Sequence, residues 1–340
     1  LALYAPGLGY YSAGARKFGA AGDFITAPEL SPLFSRCLAR QAVEVFDALG
    51  GGDILELGGG SGIMAADILS ELARLERLPE RYLILEVSAD LRERQRETLH
   101  QKVPGLLERV QWLDTVPESF TGLIVANEVL DALPVQRFRR DAEGWSEYTV
   151  TLDGDAFNSG TRAVGAELTT ALTALEASLP SPLASGYSSE LCLQLPGFMR
   201  ALADTLERGA MLFVDYGYPR NAYYHADRSM GTLMCHYRQR AHDDPFLYPG
   251  LQDITAHVDF TAVAEAGVDN GLELAGYTTQ AHLLLALGIA GQANNMASTR
   301  EVKLLTLPEE MGERFKAIGF TKQIDEALTG FALRDLSHTL

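Results

Sequence analysis

The chain has 340 residues, of which 47% are hydrophobic, and its formal net charge is −17 at pH 7. A chain of this length and apolar content can bury a full core in one large domain or two smaller ones, which argues against disorder. A surface this negative repels phosphate backbones and anionic membranes, which argues against nucleic acid and lipid head groups as main partners. Small molecules and basic peptides fit this charge better.

The three cysteines, Cys37, Cys192 and Cys235, lie far apart along the chain. Their number and spacing fit neither a disulfide framework nor a CxxC metal site. No apolar stretch reaches the roughly 18 residues of a membrane span, and the first residues lack the basic and apolar regions of a signal peptide. We therefore expect a protein of a reducing compartment, the cytoplasm, or the mitochondrial matrix if the source is eukaryotic.

The first part of the chain predicts a helix, a strand, a glycine turn and a second helix. Apolar residues at helical spacing predict the first helix over 33–49, which three glycines end. Residues 53–57 follow as a short buried strand that leads into the glycine loop 58–62. From Ile63 onward, apolar residues recur every three or four positions, which predicts an amphipathic helix. This order begins a parallel βαβ unit.

Strands and helices continue to alternate along the rest of the chain. Further strands are predicted at 82–88, 109–114, 122–129, 210–219, 272–279 and 330–336. Continuous apolar runs are typical of parallel strands buried on both faces, and we expect the last two strands to be antiparallel. The pattern predicts an α/β fold, the seven-stranded, doubly wound, Rossmann-like sheet of class I methyltransferases with helices on both faces.

Two segments interrupt this alternation. Residues 145–196 indicate an inserted strand–helix–strand element, and residues 217–256 form a stretch without a period that is rich in Tyr and Pro. Connections of that length are typical of lids and binding loops. We therefore expect an N-terminal lid and helix at 1–50, and one methyltransferase domain at 51–340 that carries both insertions.

The strongest local signal is an acid followed by glycines at every second position. Glu56 ends a predicted strand, and Gly58, Gly60 and Gly62 follow it. Glycine permits tight turns and lets a ligand approach the backbone. Dinucleotide folds use the spacing GxGxxG, and an acid beside the ligand would repel a pyrophosphate but accept a hydrogen bond from an ammonium group. The loop favours the methionyl end of S-adenosylmethionine (SAM) over a glycine turn without a ligand.

Acids also end the next two predicted strands. Glu86 lies where a carboxylate can accept both hydroxyls of a ribose. A nicotinamide dinucleotide would use the same acid, so Glu86 favours a nucleoside without choosing the cofactor, and a solvated strand-end charge is the alternative. Asp114 ends the third strand and is predicted to reach the adenine edge.

The fourth predicted strand ends in Asn127 and Glu128, with Asp131 one turn further along. The carboxyl ends of strands face the ligand crevice in an open α/β sheet, so these side chains should point toward the transferred group. Paired carboxylates suit a cationic acceptor, because they can fix the plane of a guanidinium and favour one nitrogen. The alternative is a cluster of acids that only stabilises a helix start.

Two further catalytic candidates come later in the chain. Asp215 ends the fifth strand, and His257 could relay a proton or orient a carboxylate. His225, His236 and His242 lie shortly before His257, but the spacings of these four histidines match no common zinc pattern and no cysteine pair accompanies them. We therefore expect no metal.

Several motifs together resemble one family, the MidA-type SAM-dependent methyltransferases. They are Gly9-Tyr10-Tyr11, GDFITAPELSPLF at 22–34, ELGGGSG at 56–62, NEVLDALPV at 127–135, DYGYP at 215–219 and the stretch from Gly231-Thr232 through DITAHVDFT. These motifs span nearly the whole chain. The combination of GDFxTxPE with NExxDxxPV is far more specific than the glycine loop alone.

The resemblance implies a class I fold, SAM as methyl donor and, for the mitochondrial relatives, symmetric dimethylation of an arginine on a respiratory complex I subunit. It places Glu56 and the loop glycines at the methionyl end of SAM, Glu86 at the ribose, and Asn127 and Glu128 near the sulfonium.

Phe24 and Thr26 would lie in the segment that covers the cofactor. The hypothesis is a protein arginine methyltransferase that needs no metal and has neither a nucleic-acid nor a membrane partner. A small-molecule methyltransferase and a SAM-binding assembly factor with little turnover are the alternatives, and the oligomeric state stays open.

Overall fold

The computed structural model describes residues 1–5, 7–11 and 25–340. The helices are α1 (Ala27–Leu30), α2 (Pro32–Leu49), α3 (Ile63–Arg74), α4 (Ala89–Lys102), α5 (Ala166–Ser178), α6 (Leu195–Thr205), α7 (Arg220–Tyr223), α8 (Phe260–Asp269), α9 (Gln280–Ala286) and α10 (Met296–Thr306). Within the described ranges, no helix combines the length and the apolar character that a membrane crossing requires.

The strands are β1 (Asp53–Leu57), β2 (Tyr82–Leu85), β3 (Val110–Leu113), β4 (Phe120–Asn127), β5 (Gln136–Arg140), β6 (Trp145–Asp153), β7 (Ala156–Ala163), β8 (Ser188–Leu191), β9 (Leu206–Tyr218), β10 (Met234–Tyr237), β11 (Arg240–His242), β12 (Asp253–Thr255), β13 (Val258–Asp259), β14 (Glu273–Thr279) and β15 (Phe315–Lys322).

Seven strands form the central sheet in the order β14-β15-β9-β4-β1-β2-β3, and the two-residue β13 pairs with the end of β9. From β9 to β3 the neighbouring strands are parallel. Strand β15 pairs antiparallel with both β9 and β14. Strand β14 therefore runs in the same direction as the parallel strands. We expected the last two strands to be antiparallel to the others, and for β14 this prediction was wrong.

Successive residues of the central strands face opposite sides of the sheet and enter two separate cores. In β4, Leu123 and Val125 belong to the cluster that includes α2 and α3. Ile124 and Ala126 belong to the cluster that includes α6 and α8. Because both faces are apolar, helices cover both. The predicted doubly wound, seven-stranded, Rossmann-like fold is confirmed, and the carboxyl ends of β1, β2, β4 and β9 lie along one edge.

The seventh strand is not the predicted segment 330–336, and that prediction was wrong. The strand is β15, whereas residues Thr329–Phe331 form a 3-10 helix. A Cβ atom placed on Gly276 or Gly319 would lie 2.5 Å from the side chain of Phe331. These two strand glycines therefore make room for the Phe331 ring. The apolar residues near 331 cover the sheet instead of extending it.

The two interrupting segments contain small sheets of their own. Strands β5 to β8 form an antiparallel sheet in the order β7-β6-β5-β8, and α5 packs on it around Phe138. This sheet has two more strands, β5 and β7, than the predicted strand–helix–strand element. Within 217–256, β10, β11 and β12 form a three-stranded antiparallel sheet. Helix α2 shares a core with the central sheet. The boundary at residue 50, between the N-terminal lid and helix and the rest of the chain, stays a prediction.

Phe331→Ala should lower the free energy of unfolding by about 3 kcal/mol or more, because it leaves an unfilled space above two glycines. Urea unfolding measures this loss. Leu333 has a 57% exposed side chain, so the control Leu333→Ala should cost less than about 0.5 kcal/mol. An equal loss of unfolding free energy in the two variants would contradict the packing role of Phe331.

Candidate functional site

A cavity of about 750 Å³ lies at the carboxyl ends of β1, β2, β4 and β9. This is the position of the ligand crevice in an open α/β sheet. The cavity brings together most of the residues selected from the sequence, namely Thr26, Glu56, Gly58, Gly60, Glu86, Asn127, Glu128, Asp131 and His257. Because β1 and β2 are neighbours, the glycine loop and Glu86 form one half of the cavity. The ends of β4 and β9 form the other half.

The glycine loop turns the chain from β1 into α3. Gly58, Gly60 and Gly62 have φ angles of +65°, +52° and +83°, which side chains disfavour. Glu56 is 1% exposed, and the Tyr82 hydroxyl donates to its Oε2 at 2.7 Å. Burial raises the pKa of Glu56 to about 7, and this hydrogen bond opposes the rise. A bound ammonium group would favour the charged carboxylate.

Glu86 follows β2 and is held by two hydrogen bonds. The backbone N–H of Ser88 donates to Oε1 at 2.9 Å, and the side-chain amide of Gln95 donates to Oε2 at 3.1 Å. A carboxylate can accept several hydrogen bonds, and these two orient the group at the cavity. Leu85 and Leu91 also line the cavity and make its wall near Glu86 apolar.

Two described residues selected for the cofactor, Asp114 and Gly62, are not part of the cavity lining. The Asp114 side chain is 88% exposed and pairs with Arg92 at 2.7 Å, so the predicted contact with an adenine edge is not supported. Gly62 caps the start of α3 and packs on Gln95. Phe24 lies outside the described residues.

The end of β4 presents Asn127, Glu128 and Asp131 to the cavity. Glu128 has a φ of +53°, and such strained backbone is concentrated at functional sites. Burial, with Asp131 nearby, raises the pKa of Glu128 to about 8. Burial also raises the pKa of Asp131 to about 6, while a hydrogen bond from the Tyr216 hydroxyl opposes this rise. Near neutral pH, both groups can therefore change charge when a ligand binds.

Asp215, predicted as a catalytic residue, lies beneath this site and does not line the cavity. Its Oδ2 accepts the backbone N–H groups of Val129, Leu130 and Asp131 at 3.1, 2.9 and 3.3 Å. Its Oδ1 accepts the backbone N–H of Tyr216. Backbone donors therefore occupy both oxygens of Asp215, and its carboxyl group holds the turn after β4. Its predicted role in catalysis stays a prediction.

His257 lies between two tyrosine rings of the cavity. Its ring centroid is 5.2 Å from Tyr216 and 5.4 Å from Tyr218. Its backbone N–H donates to the hydroxyl of Thr232 at 2.9 Å, and Thr232 in turn donates to the buried carboxylate of Glu190. Burial lowers the pKa of His257 to about 4, so its ring is neutral near pH 7. Its buried Nδ1 has no hydrogen-bond partner among the described residues.

Several aromatic and acidic residues of the cavity were not predicted. They are Tyr4, Tyr11, Tyr216, Tyr218 and Asp253. Tyr4 and Tyr11 stack at 5.4 Å, and the Tyr11 hydroxyl donates to Asp253 at 2.9 Å across 242 residues of chain. In the sequence, Tyr11 belongs to the motif Gly9-Tyr10-Tyr11 and Asp253 to the motif DITAHVDF. Neither motif shows that the two segments are in contact.

The chemistry of the cavity fits SAM. A buried carboxyl group at Glu56 lies beside a loop without Cβ atoms, and a second one at Glu86 lies where the next strand ends. The buried Oδ1 of Asn127 has no partner in the described part of the chain. As for metals, the described residues contain no group of three or more His, Cys, Asp and Glu side chains that could hold an ion.

SAM should bind more weakly as the pH falls below about 7, because protonation of Glu56 removes the charge offered to an ammonium group. Titration calorimetry on both sides of that pH measures this. Glu56→Gln should weaken binding by about tenfold or more at high pH and abolish the pH dependence. The exposed Glu80→Gln is the control. A wild-type affinity that does not change with pH would contradict this role.

Comparisons with known proteins agree with the geometry. Residues 37–278 match a family model described as "Putative S-adenosyl-L-methionine-dependent methyltransferase". Two mitochondrial proteins named protein arginine methyltransferase NDUFAF7, or its homolog, are similar in sequence. The Danio rerio protein is 29% identical over 93% of this chain and 80% of its own length. The Drosophila melanogaster protein is 30% identical over 92% of this chain and 77% of its own length.

A solved structure is more similar still. A Burkholderia thailandensis protein, described as a "likely methyl transferase" bound to S-adenosyl-homocysteine, is 47% identical with a TM-score of 0.93. The match covers 100% of this chain and 90% of that protein. With the family match over most of its length, the chain belongs to the MidA-type family of SAM-dependent methyltransferases, and its cofactor is SAM.

Proposed function

We propose that this enzyme transfers a methyl group from SAM to an arginine side chain of a protein. The observation that carries the proposal is the pair of acids, the half-buried Glu128 and the buried Asp131, in one cavity with the glycine loop. The names of the Danio rerio and Drosophila melanogaster relatives support the same acceptor. By the resemblance described above, the substrate is a respiratory complex I subunit or a related protein.

In this proposal, SAM occupies the half of the cavity formed by β1 and β2 and supplies an electrophilic methyl group. Glu56 accepts hydrogen bonds from the ammonium group, and the loop around Gly58 and Gly60 leaves room for the methionyl chain. Glu86 accepts the ribose hydroxyls. Asn127 stands at the end of β4, between the cofactor half and the acceptor half.

The acceptor half suits a guanidinium group. Glu128 and Asp131 can accept hydrogen bonds from its parallel N–H donors, and the positive charge of the guanidinium favours the ionised forms of both acids. The rings of Tyr4, Tyr216 and Tyr218 line the same half and can contribute cation–π contacts. A lysine must lose its proton before it attacks, which surrounding acids oppose. The site therefore favours arginine over lysine.

Methylation forms a bond between an arginine nitrogen and the methyl carbon, breaks the methyl–sulfur bond and releases one proton. Glu128 is suited to accept that proton, because its pKa of about 8 lies near the working pH. His257 is neutral, so it can accept a hydrogen bond from the guanidinium without adding a competing positive charge. Its position between two tyrosine rings limits the orientations of its ring.

We further propose that the described residues before α2 and residues 217–256 act as covers over the cavity, while α2 is the helix of the N-terminal segment 1–50. The Ser61 hydroxyl of the glycine loop donates to Glu29 in α1, and the Tyr4 hydroxyl donates to the carbonyl of Ala132 at 2.7 Å. These contacts support an N-terminal cover on both halves. The proposed location is the cytoplasm, or the mitochondrial matrix in a eukaryote, with a protein substrate and neither a nucleic-acid nor a membrane partner.

Glu128→Gln should leave SAM affinity within a few-fold of wild type but cut methyl transfer by about 100-fold or more, because loss of a charge-assisted contact costs about 2–3 kcal/mol. Mass spectrometry of a deletion strain that carries the wild-type or the variant gene measures this. An arginine with two added methyl groups should appear with the wild type and with the exposed control Glu143→Gln, but not with Glu128→Gln.

The other outcomes choose between the alternatives. If a metabolite, and no arginine, differs between the strains, the enzyme methylates a small molecule. If Glu56→Gln, which impairs SAM binding, restores growth as well as the wild type does, the protein acts as an assembly factor with little turnover. Either result would overturn the proposed function.

A further inference from the structure

A buried glutamine lies behind the SAM-binding half of the cavity. Helix α4 turns three residues inward, Leu91, Gln95 and Leu99, and Gln95 is fully buried between the two leucines. A buried amide is costly unless hydrogen bonds satisfy it. A leucine at this position would continue the apolar stripe, so the polar side chain calls for a specific explanation.

The Gln95 amide connects three elements around the cofactor. Its Nε2 donates to the carbonyl of Gly60 at 3.1 Å and to Oε2 of Glu86 at 3.1 Å. Its Oε1 accepts the ring N–H of Trp112 at 2.8 Å. An indole N–H can only donate. Trp112 therefore fixes which end of the amide faces the glycine loop and Glu86.

The glycine loop approaches α4 so closely that a Cβ atom would not fit at Gly62 without a shift of the backbone. A Cβ atom on Gly62 would lie 2.9 Å from the Cα atom of Gln95, and one on Gly59 would lie 3.1 Å from its Nε2. Contacts at such distances force neighbouring atoms to move. The distance between the loop and the helix is therefore set by direct packing on Gln95.

We propose that Gln95 is a positioning residue for SAM binding. It does not line the cavity and acts through its two acceptors. By bonding both at once, it fixes the glycine loop, which receives the methionyl end, relative to Glu86, which receives the ribose. Its hydrogen bond to Oε2 also helps to fix the orientation of the Glu86 carboxylate. The inference rests on the role proposed for Glu86 and is independent of the methyl acceptor.

Gln95→Met keeps the length of the side chain but removes all three hydrogen bonds. It should raise the Kd for SAM, measured by titration calorimetry, by about tenfold or more, since Gly60 and Glu86 each lose the hydrogen bond that links them through Gln95. The exposed glutamine of the same helix provides the control, and Gln101→Met should bind SAM as the wild type does. Wild-type affinity in Gln95→Met would overturn the proposal.

A double-mutant cycle separates positioning from a general loss of structure. If Gln95 acts through Glu86, then Gln95→Met should weaken SAM binding much less in a Glu86→Gln background than in the wild type. An equal loss in both backgrounds would overturn the proposal. A wild-type protein that fails to bind SAM would instead contradict the cofactor assignment, so the two failures are distinguishable.

Trp112→Phe provides a second test if Gln95→Met does not fold. It leaves the glutamine in place but removes the N–H that orients its amide. The Kd for SAM should rise by a few-fold, and this increase should again shrink in the Glu86→Gln background. An unchanged affinity in Trp112→Phe would overturn the proposed positioning role.

Discussion

The acceptor half of the site depends on one buried carboxylate, Asp215. Four backbone N–H groups donate to its two oxygens, and three of them belong to the turn after β4. Burial raises its pKa, and these donors oppose the rise. By gathering the N–H groups of one turn on one side, Asp215 holds the backbone that presents Glu128 and Asp131. The left-handed backbone of Glu128 costs free energy that this surrounding framework must offset.

The site combines acids with the burial that makes their charge costly. Glu128 and Asp131 lie near each other and near Asp253, and both have raised pKa values. Isolated buried carboxylates favour the neutral form, but a cation reverses this preference. In the proposed function, a guanidinium bound between these acids would stabilise their charged forms.

The cofactor half could largely be predicted from the sequence. The acid-plus-glycine loop and Glu86 follow successive strands, and the ends of parallel strands necessarily meet at one edge. The aromatic residues of the acceptor half could not be found in this way, because the contact between Tyr11 and Asp253 joins segments 242 residues apart. The hydrogen bonds of Asp215 could not be predicted either, because the sequence does not show which backbone donors its oxygens meet.

Strand β15 was not predicted for a similar reason. β15 contains Gly319, and a glycine inside a strand normally weakens it. Here the glycine is needed because Phe331 packs on it from the 3-10 helix that follows. The segments 315–322 and 330–336 have similar apolar content. Their composition therefore does not show which of the two is the strand and which packs on it.

The most direct test of this account is whether binding of a guanidinium releases protons. Methylguanidine would be titrated into the protein saturated with S-adenosyl-homocysteine, near pH 7, in buffers that differ in ionisation enthalpy. Because the pKa of Glu128 is about 8, binding should release protons in the wild type and much less in Glu128→Gln. Binding without proton release, or equally tight binding of methylammonium, would contradict the claim that these acids recognise an arginine.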